Sequence, residues 1–506
     1  MEQVQVVSLK LMVSKEKNKV VFAEAGKDFV DVLISFLTLP LGTIARLVAK
    51  ESDMQSVEVG SLSTLYGSVT NLDKDCLSAD TCKEMMLQPR NPMEDCCRSL
   101  KLNIDDTEPT QYYVCDNLKE CRHEISVMCS TFKNKKCSCG ALLEKPISPQ
   151  SSDVLGGFVK NNSSFMITDD LNVVPNSLDT MFSMLKKLGI EDMPSVEQMV
   201  VNVTKNQVLD LLKCSLLSKT VLTDVFLGKK LPLEKYELTS LSRNDFATVD
   251  SAQISVKVMY KKSDGKIVCA QGKEDFANFL LSFLTFPLGG VARLLDGCSS
   301  MGSVDRLYKS IIDLNEDYFK TKEVMDKVVD LGLAPQFKLR NQILPISESK
   351  AQSYFCYTNS YKSRRKIIHL TDFFLTPDYE DYSDCMLETC NTLDMVDPIS
   401  ENGSAKGFVK GPTMYMATDD LAVTQMSSIS IMSLISRMNI SLSDMEEKVV
   451  SIGIKEVTSV QNSYEIGLSI LKASLTSTSA LTNGLRHLIG KVKVEEDLLT
   501  KVKEEK

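Results

Sequence analysis

The chain has 506 residues, 43% hydrophobic and 25% charged, with a net charge of −9. That length exceeds one compact core and predicts two to four domains of ordinary globular composition. The acidic balance argues against a dedicated nucleic-acid binder, which needs a clustered basic surface to meet phosphates.

Met1 to Lys10 show no apolar stretch set between a basic segment and a small-residue cleavage site, so no secretory signal is expected. Fifteen cysteines are an odd number and sparse for a chain this long. They predict reduced thiols in a cytosolic or nuclear protein, not a disulfide scaffold.

The chain opens on a hairpin pattern, with Leu9 to Val13 and Lys19 to Ala23 flanking the polar Lys15-Glu16-Lys17-Asn18. Asp28 is placed to cap the helix that follows. In that helix Phe29, Val32, Leu33, Phe36 and Leu37 fall at helical spacing beside a narrow polar stripe of Asp31, Ser35 and Thr38. Pro40 ends it, because its ring disfavours helix in the preceding residue, and a second apolar helix runs through Arg46. Asp31, Arg46 and the Pro-Leu-Gly break divide Phe29 to Ala49 into pieces of core-helix length, so no transmembrane segment is predicted.

A cysteine-rich insertion follows at about 73–152, holding nine of the 15 cysteines between Cys76 and Cys139. Cys115 and Cys121 precede Cys137-Ser138-Cys139-Gly140, a knuckle that lets two thiolates reach one tetrahedral ion while glycine relieves the turn. Cys115, Cys121, Cys137 and Cys139 are therefore the candidate ligands of a structural zinc. The competing readings are ordinary reduced thiols and a redox role. The insertion closes on Pro146-Ile-Ser and a Ser-rich stretch, an exposed connection by composition.

Beyond Gly157, Phe158 to Lys160 and Phe165 to Thr168 predict short strands. Adjacent Asp169 and Asp170 would point to opposite faces of a strand, so they suit a turn better than a paired carboxylate site. Ser177 caps a helix carrying Leu178, Met181, Phe182, Leu185 and Leu188 and stopped by Gly189. A strand over Val196 to Val203 and helices over Gln207 to Leu217 and Val221 to Leu227 complete the unit.

The pattern then repeats. Ser8 to Leu47 aligns without a gap on Ser255 to Leu294, with 20 of 40 positions identical, among them Phe-Leu-Thr, Pro-Leu-Gly and Ala-Arg-Leu. Gly157-Phe-Val-Lys and Thr168-Asp-Asp-Leu recur at Gly407 and Thr418, and Leu212-Lys-x-Ser-Leu recurs at Leu471. Blocks in one order at near-constant spacing point to a tandem duplication of two large modules. The predicted organisation is a first module over 1–228, a linker over 229–251, a second module over 252–490 with its own insertion at about 316–404, and a charged tail over 491–506. Strands and helices mix without regular βαβ alternation, so each module is α+β, a β-hairpin followed by apolar helices.

No phosphate-binding glycine loop, metalloprotease helix or nucleophile elbow is present. Of the three histidines, His123, His369 and His487, none sits at a repeated position. No catalytic residue is assigned, and no cofactor beyond the candidate zinc.

The hairpin, Phe36-Leu-Thr-x-Pro-Leu-Gly42 and its repeat from Phe283, the Cys137-x-Cys139-Gly140 knuckle and Thr-Asp-Asp-Leu-x-Val together resemble a plant family catalogued as "domain of unknown function 674". The resemblance covers nearly the whole chain. It implies an intracellular plant protein and brings no established activity, substrate or site residue. The second module lacks the knuckle, which leaves zinc to the first. The function expected is that of a non-enzymatic interaction or scaffold protein with a protein partner. The alternative is a small-ligand binder or enzyme with its site between the two modules.

Overall fold

The computed structural model describes residues 5–116, 126–133, 135–137, 139–147, 156–187, 189, 196–228, 253–349, 355–363, 366–376, 387–399, 407–453 and 463–489. The predicted linker, the charged tail, Cys121, His123 and the Ser-rich ends of both insertions lie outside the described residues.

The first half runs β1 (Val7–Ser14), β2 (Lys19–Gly26), α1 (Lys27–Thr38), α2 (Leu41–Val48), α3 (Leu62–Asn71), α4 (Asp80–Leu87), α5 (Glu94–Arg98), β3 (Tyr112–Cys115), β4 (Ser126–Ser130), β5 (Leu143–Ile147), β6 (Ser164–Thr168), β7 (Val173–Pro175), α6 (Leu178–Lys187), β8 (Val196–Val203), α7 (Lys205–Leu217) and α8 (Val221–Phe226). The second runs β9 (Gln253–Lys261), β10 (Ile267–Gly272), α9 (Glu274–Ser282), α10 (Leu288–Leu294), α11 (Val304–Ile312), α12 (Lys322–Val329), β11 (Phe355–Ser363), β12 (Lys366–Thr376), β13 (Leu387–Met395), β14 (Tyr415–Thr418), β15 (Val423–Gln425), α13 (Ser428–Arg437), β16 (Met445–Gly453), α14 (Ser463–Thr476) and α15 (Ala480–Ile489).

Both halves build a five-stranded antiparallel sheet, in the orders β7-β6-β2-β1-β8 and β15-β14-β10-β9-β16. Helices mix with these sheets without βαβ crossovers, which makes the class α+β. The predicted hairpin is β1 against β2, with Lys10 opposite Glu24. The helix after it starts two residues earlier than predicted. Its N-caps are Gly26 and Lys273, with no side-chain cap bond, and Asp28 and Asp275 sit inside the first turn instead. There a carboxylate still complements the helix dipole, and Asp28 accepts from Lys101 at 2.6 Å.

The two hydroxyls of the α1 polar stripe are buried and donate within the helix itself. Ser35 Oγ donates to the Val32 carbonyl at 2.6 Å and Thr38 Oγ1 to that of Ser35 at 2.8 Å. Ser282 and Thr285 make the same bonds in the second half.

The repeated Pro-Leu-Gly marks where the halves meet. Leu41 N–H donates to Phe286 O and Leu288 N–H to Leu39 O, each at 2.9 Å, so the two helix breaks face each other across one axis. A Cβ on Gly42 would stand 3.0 Å from Leu284 O and one on Gly289 3.2 Å from Leu37 Cβ, so glycine permits the approach.

Other segments cross between the halves in matched pairs. Phe158 to Lys160, expected to form a short strand, makes an isolated bridge with the other half: Val159 pairs with Phe319, and Leu77 pairs likewise with Val409. Ser61 N–H donates to Ser474 O at 2.9 Å, and Ser303 N–H to Ser215 O at 2.8 Å. A single cluster of buried side chains runs through both halves. The insertions also share one sheet, ordered β12-β11-β13-β4-β3-β5, joined where β13 runs parallel to β4. Pro146 lies exposed on β5 at the edge of that sheet, not in a connection; an edge strand tolerates proline's missing N–H. No described helix is long and apolar enough to cross a membrane.

Candidate metal centre

Three of the four proposed zinc ligands converge. Cys115 ends β3, and antiparallel pairing of β3 with β5 through Val114 opposite Lys145 brings it over the knuckle. In the knuckle Gly140 N–H donates to Cys137 O at 2.9 Å and Cys137 N–H to Ala141 O at 2.8 Å. Gly140 holds φ +86°, a left-handed conformation that favours glycine.

The turn carries Cys137 and Cys139 to the same side, and the sulfurs of Cys115, Cys137 and Cys139 all lie within 4.8 Å of one another. Cys115 Sγ is 3.5 Å from Cys139 Sγ. Thiolates on a tetrahedral Zn²⁺ at ~2.3 Å stand roughly 3.8 Å apart, so the spacing suits a shared ion. Cys115 and Cys137 are buried against Leu143, Tyr113, Met128 and Val396, while Cys139 is exposed.

The remaining thiols are of a different kind. Burial alone pushes Cys269 up to about 11, and burial is the largest cause that puts Cys82 and Cys96 near 11 and Cys214 near 12. Thiols so reluctant to ionise are poor nucleophiles and poor ligands.

The repeated aspartates form clamps. Asp169 Oδ1 accepts from Thr223 N–H and its Oδ2 from Thr223 Oγ1, both at 2.8 Å, while Val20 N–H donates to that same hydroxyl at 2.9 Å. The closing helix α8 is thereby fixed to β2. On α15, Thr482 N–H donates to Asp419 Oδ1 at 2.7 Å, and the Thr482 hydroxyl accepts from Ile267 N–H at 2.9 Å. Asp170 and Asp420 accept from the hydroxyls of Thr168 and Thr418 within the turn. Leu171 and Leu421 follow at φ +61° and +64°. This is the turn role expected of the motif.

Sequence reasoning passed over the lysine of Leu-Lys-x-Ser-Leu. Lys213 is fully buried on α7 and donates to Ser52 Oγ at 2.7 Å and to the carbonyls of Met54 and Gln55 at 3.3 and 3.2 Å. It ties down the loop between α2 and α3. A lysine recurring inside an apolar helix pattern was the available signal. Of the histidines, His487 is exposed on α15, and His369 lies on β12 with its side chain outside the description.

The family model described as "Protein of unknown function (DUF674)" matches residues 3–455. The chain belongs to the DUF674 family. No curated protein and no solved structure matches it. Within this DUF674 chain the thiol cluster is therefore argued from its own geometry, which sets three sulfurs about one point and leaves the fourth proposed ligand, Cys121, outside the described residues.

Proposed function

We propose that the chain is a non-enzymatic interaction protein that docks a protein partner at each of two like faces. One observation carries this reading. The outer face of each five-stranded sheet is covered by one helix, α6 packing on Phe22 and Met166, and α13 on Cys269 and Met416. On both helices a large apolar side chain faces solvent at the same place: Phe182 is 63% exposed and Met432 72%. The adjoining edge strands repeat this with Val200 at 59% and Val449 at 62%. Exposed apolar positions scattered singly are ordinary; their recurrence at matched places on two faces supports the reading of two docking surfaces.

In this reading the knuckle is a structural zinc site, with Cys121 joining Cys115, Cys137 and Cys139. Three converging thiols in the first half support it. The buried unpaired thiols of Cys76, Cys82 and Cys97 support a reducing compartment, the cytosol or nucleus.

The test is affinity capture from native extract with wild type, Phe182→Glu, Met432→Glu and the double variant, followed by stoichiometry with the purified partner. The reading expects two partners on wild type, one on each single variant and none on the double variant. A captured set that the double variant leaves unchanged overturns it.

A further inference from the structure

The three sulfurs of the metal centre are not equivalent. Cys139 is exposed, and it is alone in that among the described cysteines, whereas Cys115 and Cys137 are buried. The exposed sulfur also stands next to a buried one, with Cys139 Sγ 3.5 Å from Cys115 Sγ.

That pair needs little movement to become covalent. A disulfide holds its sulfurs at about 2.05 Å, so these two must approach by roughly 1.5 Å. Cys115 is held, as the last residue of β3 and opposite Leu143 of β5. Cys139 has room to move, because a Cβ built on neighbouring Gly140 would meet nothing within 4 Å. A bond from Cys139 to Cys137 would instead close across a single residue, which leaves few backbone conformations that fit a disulfide's fixed geometry. Buried thiols elsewhere, such as Cys82 and Cys214, lack both the access and the thiolate character that the first attack needs.

We propose that Cys139 and Cys115 are a peroxide-sensitive pair, which closes to a disulfide and expels the ion of the cluster. The Cys139 thiolate attacks one oxygen of hydrogen peroxide; the O–O bond breaks, the departing hydroxide takes a proton to leave as water, and a sulfenic acid remains. The Cys115 thiolate then attacks that sulfur, and the S–O bond breaks with loss of a second hydroxide, which also leaves as water. Two thiolates have lost two electrons, and one peroxide with two protons has become two waters. Of the proposed ligands only Cys121 and Cys137 then remain, too few to hold zinc against solvent. The new bond takes over the ion's work of fastening the knuckle to β3. The zinc reading supplies only the ion that is released; the pairing of the two sulfurs stands without it.

Zinc-loaded full chain treated with hydrogen peroxide tests this, with thiols blocked at intervals, disulfides mapped by peptide mass spectrometry and freed zinc read by a chromogenic chelator. Cys115–Cys139 should be the main disulfide, zinc should appear one to one with it, and dithiothreitol should reverse the bond. Against zinc-free wild type, Cys139→Ser should slow loss of the Cys115 thiol at least tenfold, and Cys96→Ser should leave it unchanged. A chain without zinc that still forms Cys115–Cys139 upholds the pair and overturns only the zinc reading. A main disulfide elsewhere, zinc retained after the bond forms, or a Cys115 thiol lost equally fast in Cys139→Ser would overturn the proposal.

Discussion

Asp31 is the buried charge on which the first half closes. It is fully buried on α1, pairs with Lys27 at 2.5 Å, and accepts from Phe158 and Val159 N–H at 2.8 and 3.0 Å. Burial is the largest influence on its carboxyl and raises its pKa, against the lowering effects of Lys27 and the two amides. The second half holds the same place with a neutral group, since Asn278 Oδ1 accepts from Val409 N–H at 3.0 Å. Removing one partner of a buried ion pair costs about 3–5 kcal/mol, because the other charge is left uncompensated. Asp31→Ala should therefore destabilise the chain by about that amount in urea unfolding. Asp31→Asn should cost less, because its amide oxygen still receives the two N–H groups and only the Lys27 charge loses its partner. Equal losses for the two variants would show that Lys27, not the Phe158–Val159 segment, is what Asp31 serves.

At the scale of elements, the proposed ion would hold the knuckle to its strands. Three thiols gathered at the sheet's rim have little hydrophobic core beneath them: Cys115, Cys137 and Leu143 form a small cluster separate from the main one. A structural metal contributes folding free energy directly. Zinc-loaded protein should thus contain one equivalent by elemental analysis, and chelation should speed amide exchange in β3 and β5 while β1 and β2 stay protected. Cys137→Ser should reproduce that pattern. Zinc-free protein with both pairs of strands equally protected would show that the thiols pack without an ion.

The hairpin, the broken apolar helices, the α6 pattern and the knuckle were all legible, because each is set by local spacing and turn chemistry. The predicted apolar stripe of α6 was legible only as a pattern. Met184 and Leu185 are buried, yet Leu178 and Phe182 of the same periodic set face solvent, since periodicity does not say how much of a stripe its partner covers. Phe158 to Lys160 read as a strand because its partner, Phe319, lies far off in sequence. A cavity between α3 and β15 was illegible for a related reason. Only the fold sets Thr64 against Ala422 and Val423 of the other half.

Over the whole molecule, what holds the faces in place is the crossing of segments between halves. Residues 61–77 complete the second half through Ser474 and Val409, and residues 303–319 complete the first through Ser215 and Val159. Neither half can bury its apolar helices alone, because the helix breaks at Pro40 and Pro287 cover each other within one shared cluster. Splitting the chain therefore separates this account from one of two independent domains. Residues 1–228 and 252–490 should be produced apart, and amide exchange measured on each fragment and on their mixture. The account predicts that each fragment alone shows no slow-exchanging core in α1, α2, α9 or α10, and that mixing restores protection in both. Either fragment folding alone with native protection in those helices would contradict it.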